Sequence, residues 1–207
     1  MKTKSAAKRL AILMAALGVV SEKGYFKTRV DDVARRAGVA KGTVYIYFKD
    51  KPAIYIGLLG WLVERALAAT TAVAARPVSP GRKLDELFST LASGLTSNPG
   101  VLALLSPDNI HQDDTVLKRF RKQVLPEMMK LEGAIADIVK QGIELGEFRR
   151  IDPRAAAMMY LSVFRAESLA QGRSQVTRPG DALKEVFFRG ILAEGRSRPG
   201  QLSDKES

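Results

Sequence analysis

Lys41, Thr43, Tyr45 and Tyr47 occupy alternate positions of one short run, with Gly42 and Ile46 interleaved. An ammonium, an alcohol and two phenols offer hydrogen bonds and apolar edges, but no activated nucleophile or metal-ligand set. Carried on a helix, such side chains can address base edges or phosphates in a major groove, which is wide enough to admit a helix. Thr and Tyr add apolar contact to a thymine methyl, and Gly42 permits close backbone approach. Arg29 upstream and Lys51 downstream suit flanking phosphates. The candidate nucleic-acid contacts are therefore Thr28, Arg29, Lys41, Gly42, Thr43, Tyr45, Ile46, Tyr47 and Lys51.

Two short helices must hold these residues. Thr28 can accept from the backbone N–H of Asp31, and the Asp31 carboxylate suits the positive end of a helix dipole. Val30, Val33, Ala34 and Ala37 then give an inner face. Gly38 supplies a tight turn, Val39 and Val44 fill the wedge, and a helix follows from about Lys41 to Phe48. Helix, sharp turn, helix is one reading. A plain αα corner with Tyr45, Tyr47 and Phe48 turned inward is the other.

Charge separates the ends of the chain. Of a formal net +11, residues 1–51 hold 12 Lys and Arg against 4 Asp and Glu, a net of +8, leaving +3 for the other 156 residues. A basic head favours a polyanion, either nucleic-acid phosphate or an anionic membrane surface. The chain has no cysteine, which excludes disulfides, thiolate metal sites and a cysteine nucleophile and fits a reducing compartment. Lys2, Lys4, Lys8 and Arg9 ahead of Leu10–Val20 imitate a secretory signal. No small-residue cleavage pattern follows, however, and Ala6, Leu10, Leu13, Leu17 and Val20 repeat at helical spacing. No apolar run approaches the ~18 residues that span a bilayer, so a cytoplasmic protein without a membrane partner is expected.

Glycine and proline punctuate helical patterns, and no sustained period-two alternation appears, so the fold class is all-α. The first helix should run from about Ser5 to Lys23 and end at Gly24. A fourth, capped by Asp50 with Pro52 in its first turn, should reach about Ala75, before the loop signals Pro77, Pro80 and Gly81. Leu84, Leu87, Phe88, Leu91 and Leu95 form a stripe broken by Asn98, Pro99 and Gly100. A short helix to Leu105 follows. A long helix from Asp114 to Leu145 should kink at Pro126. Asp152–Pro153 and Pro179–Asp181 open the last two helices, the final one reaching about Glu194. This divides the chain into a helix-turn-helix head over 1–51, a helical body over 52–195 and a disordered tail over 196–207.

The head resembles the N-terminal domain of TetR-type (tetracycline-repressor-like) transcriptional regulators across roughly residues 8–60. It carries Gly24-Tyr25-Phe26, then Thr28, Val33, Ala34, Ala37-Gly38-Val39, Gly42-Thr43-x-Tyr45-x-Tyr47-Phe48 and Lys51. Ala40 stands where the family usually places a capping Ser, a loss of about 1 kcal/mol of local helix stability, and Pro52 replaces a common Glu.

The resemblance implies an all-α homodimer that binds a double-stranded DNA operator and is released by a small effector, with repression as the usual outcome. It also implies that the last two helices of each chain pair into a four-helix bundle. The apolar faces consistent with that bundle include Met159, Leu161, Val186, Phe187 and Ile191, and intramolecular core is the alternative. A pocket for an apolar or amphipathic effector is expected among Trp61, Phe88, Leu91, Phe120, Met128 and Phe164. No cofactor is implied.

Asp108, His111, Asp113 and Asp114 could offer oxygen and imidazole to a metal, but Asp residues in polar loops also cap helices, and no metal site is assigned. No phosphate-cradling loop, nucleophile elbow or histidine pair supports an enzyme. The remaining rival is a sequence-nonspecific architectural DNA-binding protein, which the same basic head would suit.

Overall fold

The computed structural model describes residues 2–96, 113–171 and 179–192. Their regular structure is helical, apart from one isolated bridge between Phe148 and Leu192. The expected Leu105 helix, Asp108, His111 and the tail lie outside the described residues.

Helix α1 (Lys2–Lys27) is interrupted at Gly24, whose φ of +75° and ψ of 164° no helix accommodates. Only a residue without Cβ takes that conformation cheaply. Helix α2 (Val30–Arg36) follows, then α3 (Lys41–Tyr47) and α4 (Lys51–Ala74). Asp50 caps α4 as expected, accepting from the Ala53 N–H at 2.8 Å.

Thr28 acts differently from expectation. Its hydroxyl donates to the Gly24 carbonyl at 2.8 Å and its N–H to the Tyr25 carbonyl, so it closes the end of α1. The cap position of α2 is Arg29, without a side-chain bond, and Asp31 and Asp32 supply the favourable charge in the first turn.

Pro80 and Gly81, read as loop, instead open α5 (Pro80–Thr96), with the Ser79 hydroxyl accepting from the Arg82 N–H. A proline lacks only an N–H that the first turn would leave unpaired. The predicted long helix has three parts: α6 (Asp114–Arg119), a π turn over Phe120–Val124 and α7 (Leu125–Glu144). The irregularity precedes Pro126 rather than centring on it. The Leu125 N–H reaches back to the Phe120 carbonyl, widening the helix just before a residue with no N–H to give. Helices α8 (Pro153–Gln171), capped by Asp152, and α9 (Pro179–Ile191) complete the described chain.

The described residues group into two compact units: 2–64 with 113–127, and 65–96 with 128–171 and 179–192. In the first, Ile12, Leu13, Leu17, Tyr25, Val33, Val44, Tyr55 and Leu58 are buried. In the second, Leu84, Leu87, Phe88, Ile135, Val139, Tyr160 and Phe188 build one core. There α8 packs on α9 and α5, and the Tyr160 hydroxyl donates to the Leu84 carbonyl at 2.8 Å. Helix α4 is long and apolar enough to cross a membrane by length and composition alone. It buries Ile54, Tyr55, Leu58 and Leu59 in one core and Val73 in the other.

Candidate nucleic-acid interface

The turn between α2 and α3 rests on Gly38, at φ +65°, and on the Val39 N–H, which donates to the Ala34 carbonyl at 3.0 Å. Val33, Ala34 and Val44 lie inside the first unit, so the two helices are locked by small and branched side chains at their crossing. With Val44 wholly buried, helical spacing turns the neighbouring residues outward. Tyr45 is 45% exposed and Ile46 79% exposed. Lys41 and Gly42 are exposed, and Thr43 and Tyr47 are half-buried. Among the tyrosines and phenylalanine of this run, only Phe48 packs fully inward. Ala40 provides no side-chain cap for α3.

The cations differ in availability. Lys41 pairs with Asp31 at 2.9 Å, and that hydrogen bond holds its ammonium above the ordinary lysine range. Arg29 is exposed at the start of α2. Lys51 donates to the Tyr25 and Phe26 carbonyls at 3.0 and 3.1 Å and lies 4.5 Å from the Tyr25 ring centroid. It thereby satisfies carbonyls left open where α1 breaks, and burial lowers its pKa. Thr28 is buried. The structure thus brings Lys41, Gly42, Thr43, Tyr45, Ile46 and Tyr47 together on one helix, leaves Arg29 exposed at the start of α2, and sets Thr28 and Lys51 to work inside the scaffold.

Two contacts with segment 113–127 escaped the sequence reading. Arg119 forks onto Asp50, Nη1 to Oδ1 at 2.5 Å and Nη2 to Oδ2 at 2.7 Å. That pairing is the main cause holding the Asp50 carboxyl below its ordinary range. The Tyr25 hydroxyl donates to Asp113 Oδ2 at 3.2 Å, and burial first, then the Asp113 charge, pushes the phenol upward. Asp113, considered above as a metal ligand, also caps α6 by accepting from the Thr115 and Val116 N–H groups.

In the second unit, Phe88 meets both Tyr160 and Phe164 edge-to-face at 5.8 Å, with Leu91 packed against the same core. Lys184 pairs with Asp85 at 2.6 Å and lies 5.4 Å from the Phe88 ring. Of the other candidate pocket residues, Met128 begins this unit's long helical segment, while Trp61 and Phe120 belong to the first unit. Met159 and Val186 are exposed, as is Met158, whereas Phe187 and Ile191 are buried in the chain's own core and Leu161 packs at its edge.

A basic head presenting one helix behind a tight turn, joined to a helical body, defines a helix-turn-helix DNA-binding regulator. Residues 12–58 match the family described as bacterial regulatory proteins, tetR family. The chain is 29% identical over 157 residues to the fatty acid metabolism regulator protein of Bacillus subtilis (strain 168), covering 73% of this chain and 77% of that one. It is 35% identical over 92 residues to the HTH-type transcriptional repressor KstR of Mycolicibacterium smegmatis, covering 44% and 45%. Its fold is similar to that of FadR from Bacillus subtilis in complex with stearoyl-CoA, with a TM-score of 0.74 at 23% identity, covering 88% of this chain and 98% of that one. The head of this chain, over residues 12–58, is thus of the tetR family of bacterial regulatory proteins.

Proposed function

We propose that this protein is a cytoplasmic transcriptional repressor that binds a palindromic operator as a homodimer and leaves it when a long-chain acyl thioester binds the helical body. One observation carries the operator reading. Tyr45 and Ile46 stand side by side in solvent on a seven-residue helix whose other face is buried. Exposing that much apolar surface is unfavourable unless a partner covers it, and a major groove lined by thymine methyls and base edges is a fitting cover. One such helix reads few bases, and a two-fold dimer reads two half-sites. Exposed Met158, Met159 and Val186 on α8 and α9 support a dimer face there.

The effector class is supported by the relative named for fatty acid metabolism and by the similar structure that holds stearoyl-CoA. The aromatic cluster of Phe88, Tyr160 and Phe164, with Leu91 beside it, is apolar enough to take an acyl chain.

Selection of bound sites from random duplexes tests the operator reading. A palindrome preferred by about a thousandfold or more over scrambled DNA is expected, and Tyr45→Ala should relax that preference. Equal affinity for selected and scrambled sites would return the protein to the sequence-nonspecific class. Stearoyl-CoA, with free coenzyme A as control, should then lower operator affinity by tenfold or more, as differential binding to two states requires about 1.4 kcal/mol for that factor. If stearoyl-CoA leaves affinity unchanged, the acyl-thioester reading falls and the operator reading stands.

A further inference from the structure

An open cavity of about 250 Å³ lies beside the end of α3 in the first unit. Its lining holds three cations from three parts of the chain: Arg9 of α1, Lys49 after α3 and Arg119 at the end of α6. Tyr47 and Gln123 add neutral hydrogen-bonding groups, and among the described residues no carboxylate lines it. Asp50 is the acid nearest in sequence, and Arg119 already holds it. Two N–H groups serve that carboxylate, and a guanidinium carries five. Neither Arg9 nor Lys49 makes an ion pair among the described residues, although the Lys49 charge acts on Asp50 from a distance.

The cavity is also shaped. Arg9 lies over the Phe48 ring, 5.2 Å from its centroid, a cation–π contact that draws the guanidinium to the cavity wall. Gly57 makes this stacking possible, since a Cβ there would sit 2.9 Å from Phe48 Cε1 and 3.4 Å from Arg9 Nη2. Like charges converging on a hollow repel one another unless an anion joins them, and two unpaired cations beside a hydroxyl match a phosphate's charge and acceptor oxygens.

We propose that Arg9 and Lys49, with Arg119 at the rim and Tyr47 shared with the face of α3, form a phosphate-binding site at the end of that helix. Two sources of phosphate fit this chemistry: the DNA backbone flanking the groove entered by α3, and a free phosphorylated molecule. The first source rests on the operator reading given above, and the second does not.

Operator and random duplexes are titrated across a salt series with wild-type protein, Arg9→Gln and Lys49→Gln. Unfolding midpoints of the same proteins are measured with and without pyrophosphate at fixed ionic strength. Lys49 is exposed and makes no bond in the scaffold, so its variant reports on the site without a folding defect. Backbone binding predicts that each variant weakens operator and random duplexes alike, by about three- to tenfold, and lowers the salt slope by about 0.9. Free-phosphate binding predicts unchanged slopes, with pyrophosphate raising the wild-type midpoint and leaving both variants where they were. Unchanged slopes together with a pyrophosphate response that is absent, or equal in all three proteins, would overturn the site. Should wild-type protein bind no duplex at all, the operator reading fails, and the pyrophosphate arm alone decides this site.

Discussion

Asp50 has two tasks at once, capping α4 through its Oδ1 and accepting the fork of Arg119. Asn caps a helix about as well as Asp, so Asp50→Asn removes the charge and keeps the cap. At neutral pH the variant should lose about 1 kcal/mol, the upper range for a half-exposed ion pair with bidentate geometry. Because the folded carboxyl is depressed, the unfolded chain binds its proton more readily. The stabilisation is therefore complete above the ordinary value of 3.8 and is lost as pH falls through the folded value. Urea unfolding at pH 7 and across a series descending from pH 4 checks this, with the gap between variant and wild type narrowing as pH falls. A gap that does not narrow would place the effect elsewhere. At this scale the sequence revealed Tyr45, Ile46 and Gly42, since a buried Val44 sets their direction by spacing alone. It did not reveal the posts of Thr28 and Lys51. Their acceptors are main-chain carbonyls at Gly24, Tyr25 and Phe26, and carbonyls carry no residue type by which to be read.

Among elements, the turn between α2 and α3 is the one on which the reading face depends. Nothing lies within 4 Å of a Cβ built on Gly38, so Gly38→Ala costs backbone strain and no collision. With φ at +65°, that strain should be about 1–2 kcal/mol. Gly38→Asn, which tolerates the left-handed region, should recover much of it. Thermal unfolding ranks the three proteins, and an Asn variant no better than Ala would remove backbone conformation as the cause. The caps at Asp50 and Asp152 were legible because a cap is a local pattern of a few residues. The π turn was not. Pro126 announces a disturbed hydrogen-bond ladder, but the disturbance is taken up at Phe120–Val124, where the residues themselves are ordinary helix formers.

At the scale of the whole molecule, the concentration of +8 in the first 51 residues was visible by counting and points to the end that meets a polyanion. The membership of segment 113–127 in the first unit was not visible. Its bonds join residues 69 and 88 positions apart, and separations of that length leave no periodic trace. That membership bears on how the protein could be rebuilt. An exchange of reading heads would place its cut in α4, the helix that runs from the first unit into the second. Here a cut after residue 64 would carry away Asp50 and Tyr25 but leave Arg119 and Asp113 behind, in a host whose own segment was never matched to them. A transplant moving residues 1–64 alone should therefore melt below one that also carries 113–127, a difference read directly by calorimetry of the two hybrids. The head is best regarded as a graft with two ends to sew.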